Sequence, residues 1–108
     1  MTLSLSSFFG CVVAHDPSRA DALIRLSRDF TPRFELERDS LALLDLSGLT
    51  RLFRNPEELG DSLRETAVRL GIEAPRIALA PRLASARRLA LFRPGLTIAR
   101  DFASETEL

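Results

Sequence analysis

Lysine is absent from this chain, and all fifteen basic residues are arginine. A GC-rich genome accounts for such a bias by itself; the other reading is that arginine suits bidentate contact with phosphate better than lysine does. Charge of one sign is also missing. Fifteen acidic residues cancel the fifteen arginines, so no net field draws the whole chain to nucleic acid or anionic lipid. Cysteine occurs once, as Cys11, which excludes an internal disulfide and fits a reducing, cytoplasmic setting. Cys11 sits in the apolar run Phe8 to Ala14 with no cation nearby to activate it, so a buried structural thiol is expected. Histidine also occurs once, as His15. It has no Cys or His partner close in sequence for a metal site, and no motif places it in a Ser-His-Asp triad. The run Phe8 to Ala14 is far too short to span a bilayer and lacks the basic start of a signal peptide. No internal repeat and no linker interrupts the chain.

What is present is an ordinary globular composition, 45% hydrophobic and 28% charged over 108 residues. That suits one modest core, or part of a larger one. Phe8 to Ala14 reads as a buried strand. Asp16-Pro17 reads as an N-cap with proline at the first helical position. The helix that follows runs to about Asp29, with Ala20, Leu23, Ile24 and Ser27 along one side, and Thr31-Pro32 ends it. Phe34, Leu36 and Arg38 alternate with Glu35 and Glu37, which predicts an edge or exposed strand with both glutamates on a solvated face. Arg38-Asp39-Ser40 turns the chain into Leu41 to Leu46, the most apolar segment, read as a central strand buried on both faces. Asn55-Pro56 caps the next helix, Leu59, Leu63, Ala67 and Leu70 form its buried stripe, and Gly71 closes it. Arg76 to Ala80 is a third core strand, Arg82 to Leu91 a short helix ended by Arg93-Pro94-Gly95, and Leu96 to Ala99 a last short strand. The polar tail from Ser104 is expected to fray. Strand, helix, hairpin, helix, strand, helix, strand predicts an α/β fold: one sheet with helices packed on it.

From Arg76 to Arg100 there are six arginines (76, 82, 87, 88, 93 and 100) and no acidic residue. The run reads either as a solvated helix face or as a surface for DNA phosphate. Asp45 at the end of the apolar strand is expected to hydrogen-bond structurally there.

Phe30-Thr31-Pro32-Arg33-Phe34-Glu35 continues without a gap into Leu43-Leu44-Asp45-Leu46-Ser47-Gly48 and Leu52-Phe53. This stretch resembles the palm of Y-family translesion DNA polymerases, where "FSPxVE" leads into "SIDEAFLDVTG" and, after a helix, "GIAxNKxLAKxAS". The wording "LLDLSGLTRLF" is closer still to the ImuB-type proteins of bacterial mutagenesis cassettes, with "LDLAG…LFG" and a later "VAIA" strand. Arg76 to Ala80 stands at that strand, and Gly95-Leu96-Thr97-Ile98 resembles the following "GVTVIP". Residues 9–16 weakly resemble the family's first palm strand, "ACVYVPDF". The likeness covers residues 18 to 100, most specifically 30–53.

The resemblance implies a palm-like sheet with a β-hairpin and ferredoxin-like split βαβ character, incomplete, as a single partial domain over 1–108. On the resemblance, fingers, thumb and little finger are expected to be absent. In active relatives two divalent metals held by carboxylates drive nucleotidyl transfer. On the gapless alignment "SIDE" falls on Arg38, Asp39, Ser40 and Leu41, so the metal-binding Asp-Glu pair becomes Ser40 and Leu41. Asp39, one residue away, would point to the other strand face. The first-strand aspartates fall on Ser4 and Ser6, or are missing. The resemblance therefore implies no catalytic residue, no metal and no cofactor. The family's "NK" lysine falls on Leu83, its asparagine on Arg82, and its "LAK" lysine near Arg87, which makes Arg82, Arg87 and Arg88 the candidate DNA-phosphate contacts. The segment 87–92, "RRLALF", is similar to short peptides that bind the sliding clamp. A non-catalytic adaptor in SOS mutagenesis is expected, with a RecA-like protein, an error-prone polymerase and the sliding clamp as partners. The alternatives are an active palm completed by another chain, a stand-alone interaction domain that self-associates through uncovered strand surface, or a truncated remnant.

Overall fold

Two local signals act through side-chain oxygens, Asp16 at the start of a 3-10 turn and Asn55 at the start of an α-helix. The computed structural model, which describes residues 7–99, has Asp16 Oδ1 accepting from the Ser18 N–H at 2.9 Å and Asn55 Oδ1 accepting from the Glu58 N–H at 2.8 Å. Each satisfies a backbone donor that the helix itself leaves without a partner. Ser4, Ser6, Arg100 and the tail from Ser104 lie outside the described residues.

The elements are β1 (Phe9–Val13), α1 (Ala20–Phe30), β2 (Phe34–Arg38), β3 (Leu41–Asp45), α2 (Pro56–Arg69), β4 (Arg76–Ala80), α3 (Leu83–Phe92) and β5 (Leu96–Ile98). The order is the one the sequence predicts. Pro17–Arg19 forms a 3-10 turn leading into α1, and Ser47–Arg51 forms another after β3. Thr31 is extended and ends α1 before Pro32. At the end of α2, Ile72 N–H donates to the Ala67 carbonyl and Gly71 N–H to that of Val68, with Gly71 at φ +94°. This is a Schellman closure, which requires the left-handed conformation that glycine adopts without strain.

The five strands form one open, mixed sheet in the order β2-β3-β1-β4-β5. β1 is antiparallel to both β3 and β4, and β5 runs parallel to β4. The central strand is therefore β1, while β3 is interior but one place nearer the edge. β1-α1-β2 and β3-α2-β4 interlock as two split β-α-β units, the ferredoxin-like arrangement.

Each face of the sheet has its own core. Val12, Ala42, Leu44, Ile77 and Leu79 meet Leu23 and Leu26 of α1 and Leu59, Leu63 and Ala67 of α2. On the opposite face Cys11, Leu41, Ala78 and Ala80 meet Ala86, Leu89 and Ala90 of α3. The small side chains on both surfaces let α3 lie close to the sheet. In α1 it is Leu26 that is buried beside Leu23 and Ser27, and Ile24 is only half-buried; in α2, Leu70 is half-buried while Gly60 and Thr66 are covered. β3 and β4 are parallel, and the chain leaves both in the same direction across the sheet. Because α2 covers one face and α3 the other, these two crossovers have opposite hands, and one departs from the usual right-handed rule.

Gly10 in β1 lies under Leu46: a Cβ there would stand 2.8 Å from Leu46 Cδ1. The wording Leu44-Asp45-Leu46-Ser47 is explained by the same corner. Asp45 Oδ1 accepts from the Ser47 N–H at 3.0 Å, the Phe8 N–H donates to Ser47 Oγ at 3.0 Å, and the Leu46 N–H donates to the Phe8 carbonyl at 2.9 Å. Among the described residues no helix is long and apolar enough to cross a membrane.

Candidate functional site

The site that the sequence singles out is the β2-β3 hairpin and the helix above it. Asp39 and Ser40 make the two-residue turn. The Ser40 carbonyl accepts from the Ala14 N–H at 2.8 Å, which ties the turn to the end of β1. Leu41 pairs with Val13, is 0% exposed, and belongs to the apolar cluster beneath α3. An ionised carboxylate at this depth would lose its water.

The hairpin carries an irregularity at Glu37, where the register shifts between Leu36 and Arg38. Glu37 alternates with Leu36, which packs on the α1 and α2 side, and so faces α3. Its two carboxylate oxygens accept from Arg87 Nε and one terminal nitrogen, each at 2.6 Å. Arg38 approaches the same carboxylate at 3.6 Å. The bonds from Arg87, helped by its charge and that of Arg38, hold the Glu37 carboxyl below the usual glutamate range. The Arg87 guanidinium is raised correspondingly by the Glu37 bonds and charge. Under this pair lies Cys11, whose thiol is pushed up to about 12, chiefly by burial; the Arg87 charge opposes that shift and the Glu37 charge adds to it. Cys11 is a protonated core residue at neutral pH, in keeping with its sequence reading.

Glu35 and Glu37 both lie on an exposed face, as the alternation predicts, and Glu37 additionally pairs with Arg87 of α3. Arg82 precedes the first turn of α3 and Arg88 sits on its outer side, both exposed. The three arginines therefore share the helix, but only Arg82 and Arg88 face solvent without Glu37 between. Glu35 stays exposed, in line with Leu43. The segment 87–92 is folded into α3, with Leu89 2% exposed and Phe92 77% exposed.

At the other end of the sheet, Asp45 combines its Ser47 bond with an ion pair to Arg33 Nε at 3.3 Å. Burial opposes its ionisation, but the Ser47 hydrogen bonds and the Arg33 charge outweigh it and lower the carboxyl below the usual range. A cavity of about 310 Å³ lies beside it, lined by Phe9, Arg33, Leu43 and Leu83 among others. A second, of about 200 Å³, lies by His15, Asp16, Arg19 and Glu73. Asp16 is used there as the cap of the 3-10 turn. Among the described residues no three His, Cys, Asp or Glu side chains converge as a metal-binding set.

The Glu37–Arg87 pair was not visible in the sequence, because 50 positions separate its members. The one available signal was the lack of any acid between Arg76 and Arg100, so that any paired arginine there takes its counter-charge from another element. Comparison with protein-family models, with curated proteins and with solved structures finds no match to this chain.

Proposed function

We propose that the chain is a non-catalytic, polymerase-like palm module of cytoplasmic DNA repair and translesion synthesis. In this reading it binds nucleic acid and protein partners and transfers no nucleotide. The observation that carries it is Leu41: the position that the Y-family wording assigns to a metal-binding glutamate holds a leucine fully buried under α3. The interlocked βαβ units and the hairpin supply the scaffold that the resemblance implies. The acid-free stretch of α3 supplies the surface for phosphate, through Arg82 and Arg88, with Arg87 beside them. The proposed partners are DNA, a RecA-like protein, an error-prone polymerase and the sliding clamp.

The reading is tested by titrating the protein with duplex DNA at several salt concentrations. Affinity that falls with salt in the wild type, and is largely lost in the Arg82→Ala, Arg87→Ala, Arg88→Ala triple variant, is the expected result. Salt-dependent binding that survives the triple substitution removes the assigned surface. Template-directed primer extension with Mg²⁺ by the purified chain removes the non-catalytic assignment.

A further inference from the structure

Ser85, Ala86, Leu89 and Ala90 turn α3 toward the sheet, which leaves Ala84 and Arg88 exposed and Arg87 half-buried beside β2. No acid on the helix or its flanks neutralises these arginines. The counter-charge comes from Glu37 on β2, which occupies the Nε–Nη2 edge of the Arg87 guanidinium with two parallel bonds. A guanidinium makes the same pair of parallel bonds to a carboxylate and to a phosphodiester. Glu37 thus stands where a backbone phosphate would bind.

We propose that Glu37 is an internal competitor for nucleic-acid phosphate, holding Arg87 in reserve until a phosphate group replaces the carboxylate. The proposal rests on the nucleic-acid reading above and adds a control element to it. Two features make the exchange feasible. Both side chains are partly open to water, at 39% for Arg87 and 30% for Glu37, so one solvated ion pair replaces another at small net cost. The register shift leaves Glu37 outside the regular pairing of the hairpin, so its side chain can swing away without breaking the β2-β3 ladder. On release it keeps Arg38 as a neighbouring cation. Arg76 offers no such reserve, because its Nη1 donates to the Leu91 carbonyl at 2.8 Å.

The experiment is fluorescence anisotropy with a short labelled DNA duplex, over a series of salt concentrations, on the full chain and four variants. Glu37→Gln is expected to bind several-fold more tightly at low salt, with a log–log salt slope steeper by about 0.9, the increment of one added phosphate contact. Glu35→Gln removes the same charge from the same strand without releasing Arg87, and is expected to stay close to wild type. Arg87→Ala alone is expected to change little, and Glu37→Gln with Arg87→Ala to return to wild-type affinity. Thermal melts of each variant confirm that folded proteins are compared, and Glu37→Ala repeats the test if the glutamine variant is impaired. Wild type and Glu37→Gln binding equally overturns the competitor while leaving DNA binding intact. A gain in Glu37→Gln that Glu35→Gln matches, or that persists without Arg87, reduces the effect to net charge and overturns it too. No binding by either protein at low salt overturns both the competitor and the nucleic-acid reading.

Discussion

At the scale of single residues, burial decides what Leu41 can be. It is 0% exposed and belongs to the apolar cluster of Cys11, Ala78, Ala80, Ala86, Leu89 and Ala90. Leu41→Glu is therefore expected to cost ~3–5 kcal/mol in urea unfolding, the range for an uncompensated buried charge. Leu41→Met, of similar volume, should cost less than about 1.5 kcal/mol. The combined Ser40→Asp, Leu41→Glu protein is expected to show no primer extension, because a charged pair at the turn also distorts the packing beneath α3. Measuring both stability and extension on the same protein separates loss of fold from lack of chemistry.

At the scale of elements, the chain relies on punctuation that is local and legible. Asp16-Pro17, Thr31-Pro32, Asn55-Pro56 and Gly71 act at the places their residue types predict, since each depends only on neighbours within five positions. The Gly71 closure gives a clean prediction. A Cβ there would meet nothing nearer than Arg19 Nη1 at 3.7 Å, so packing is not the obstacle. The obstacle is the backbone at φ +94°. Gly71→Ala is expected to lower stability by ~1–2 kcal/mol, the cost of forcing an L-residue into left-handed space. Chemical denaturation of the variant checks this, and no measurable change would mean that the closure is rebuilt with another geometry. α3 was legible as a helix but not as a partner of β2, because the residues that join them share no local pattern.

At the scale of the whole molecule, titration defines a stability window. Glu37, Asp45, Asp16 and Glu58 all have carboxyls held below their ordinary range in the fold. Such groups stabilise the protein above the unfolded carboxylate pKa of about 4 and lose that contribution as pH falls through the lower folded values. Cys11 acts in the opposite sense: its folded value near 12 lies above the unfolded one, so stability is retained below about pH 8.5 and declines as pH rises beyond it. Melting temperature followed from pH 2 to 10 is expected to fall at both ends. Glu37→Gln should soften the acid limb and Cys11→Ala the alkaline limb; an unchanged alkaline limb in Cys11→Ala would show that the thiol is not its source. The α/β order, the hairpin, the two caps and the Schellman closure were set by the amino-acid sequence alone, because propensity, periodicity and capping act over a few residues. The tertiary structure alone decided that β1 is central, that α2 and α3 lie on opposite faces with crossovers of opposite hand, and that Glu37 meets Arg87. Those outcomes depend on which apolar surfaces close on one another and on which distant charges end up side by side, and neither is written in any short stretch of chain. Leu41 was legible as an apolar strand residue; that α3 buries it was not.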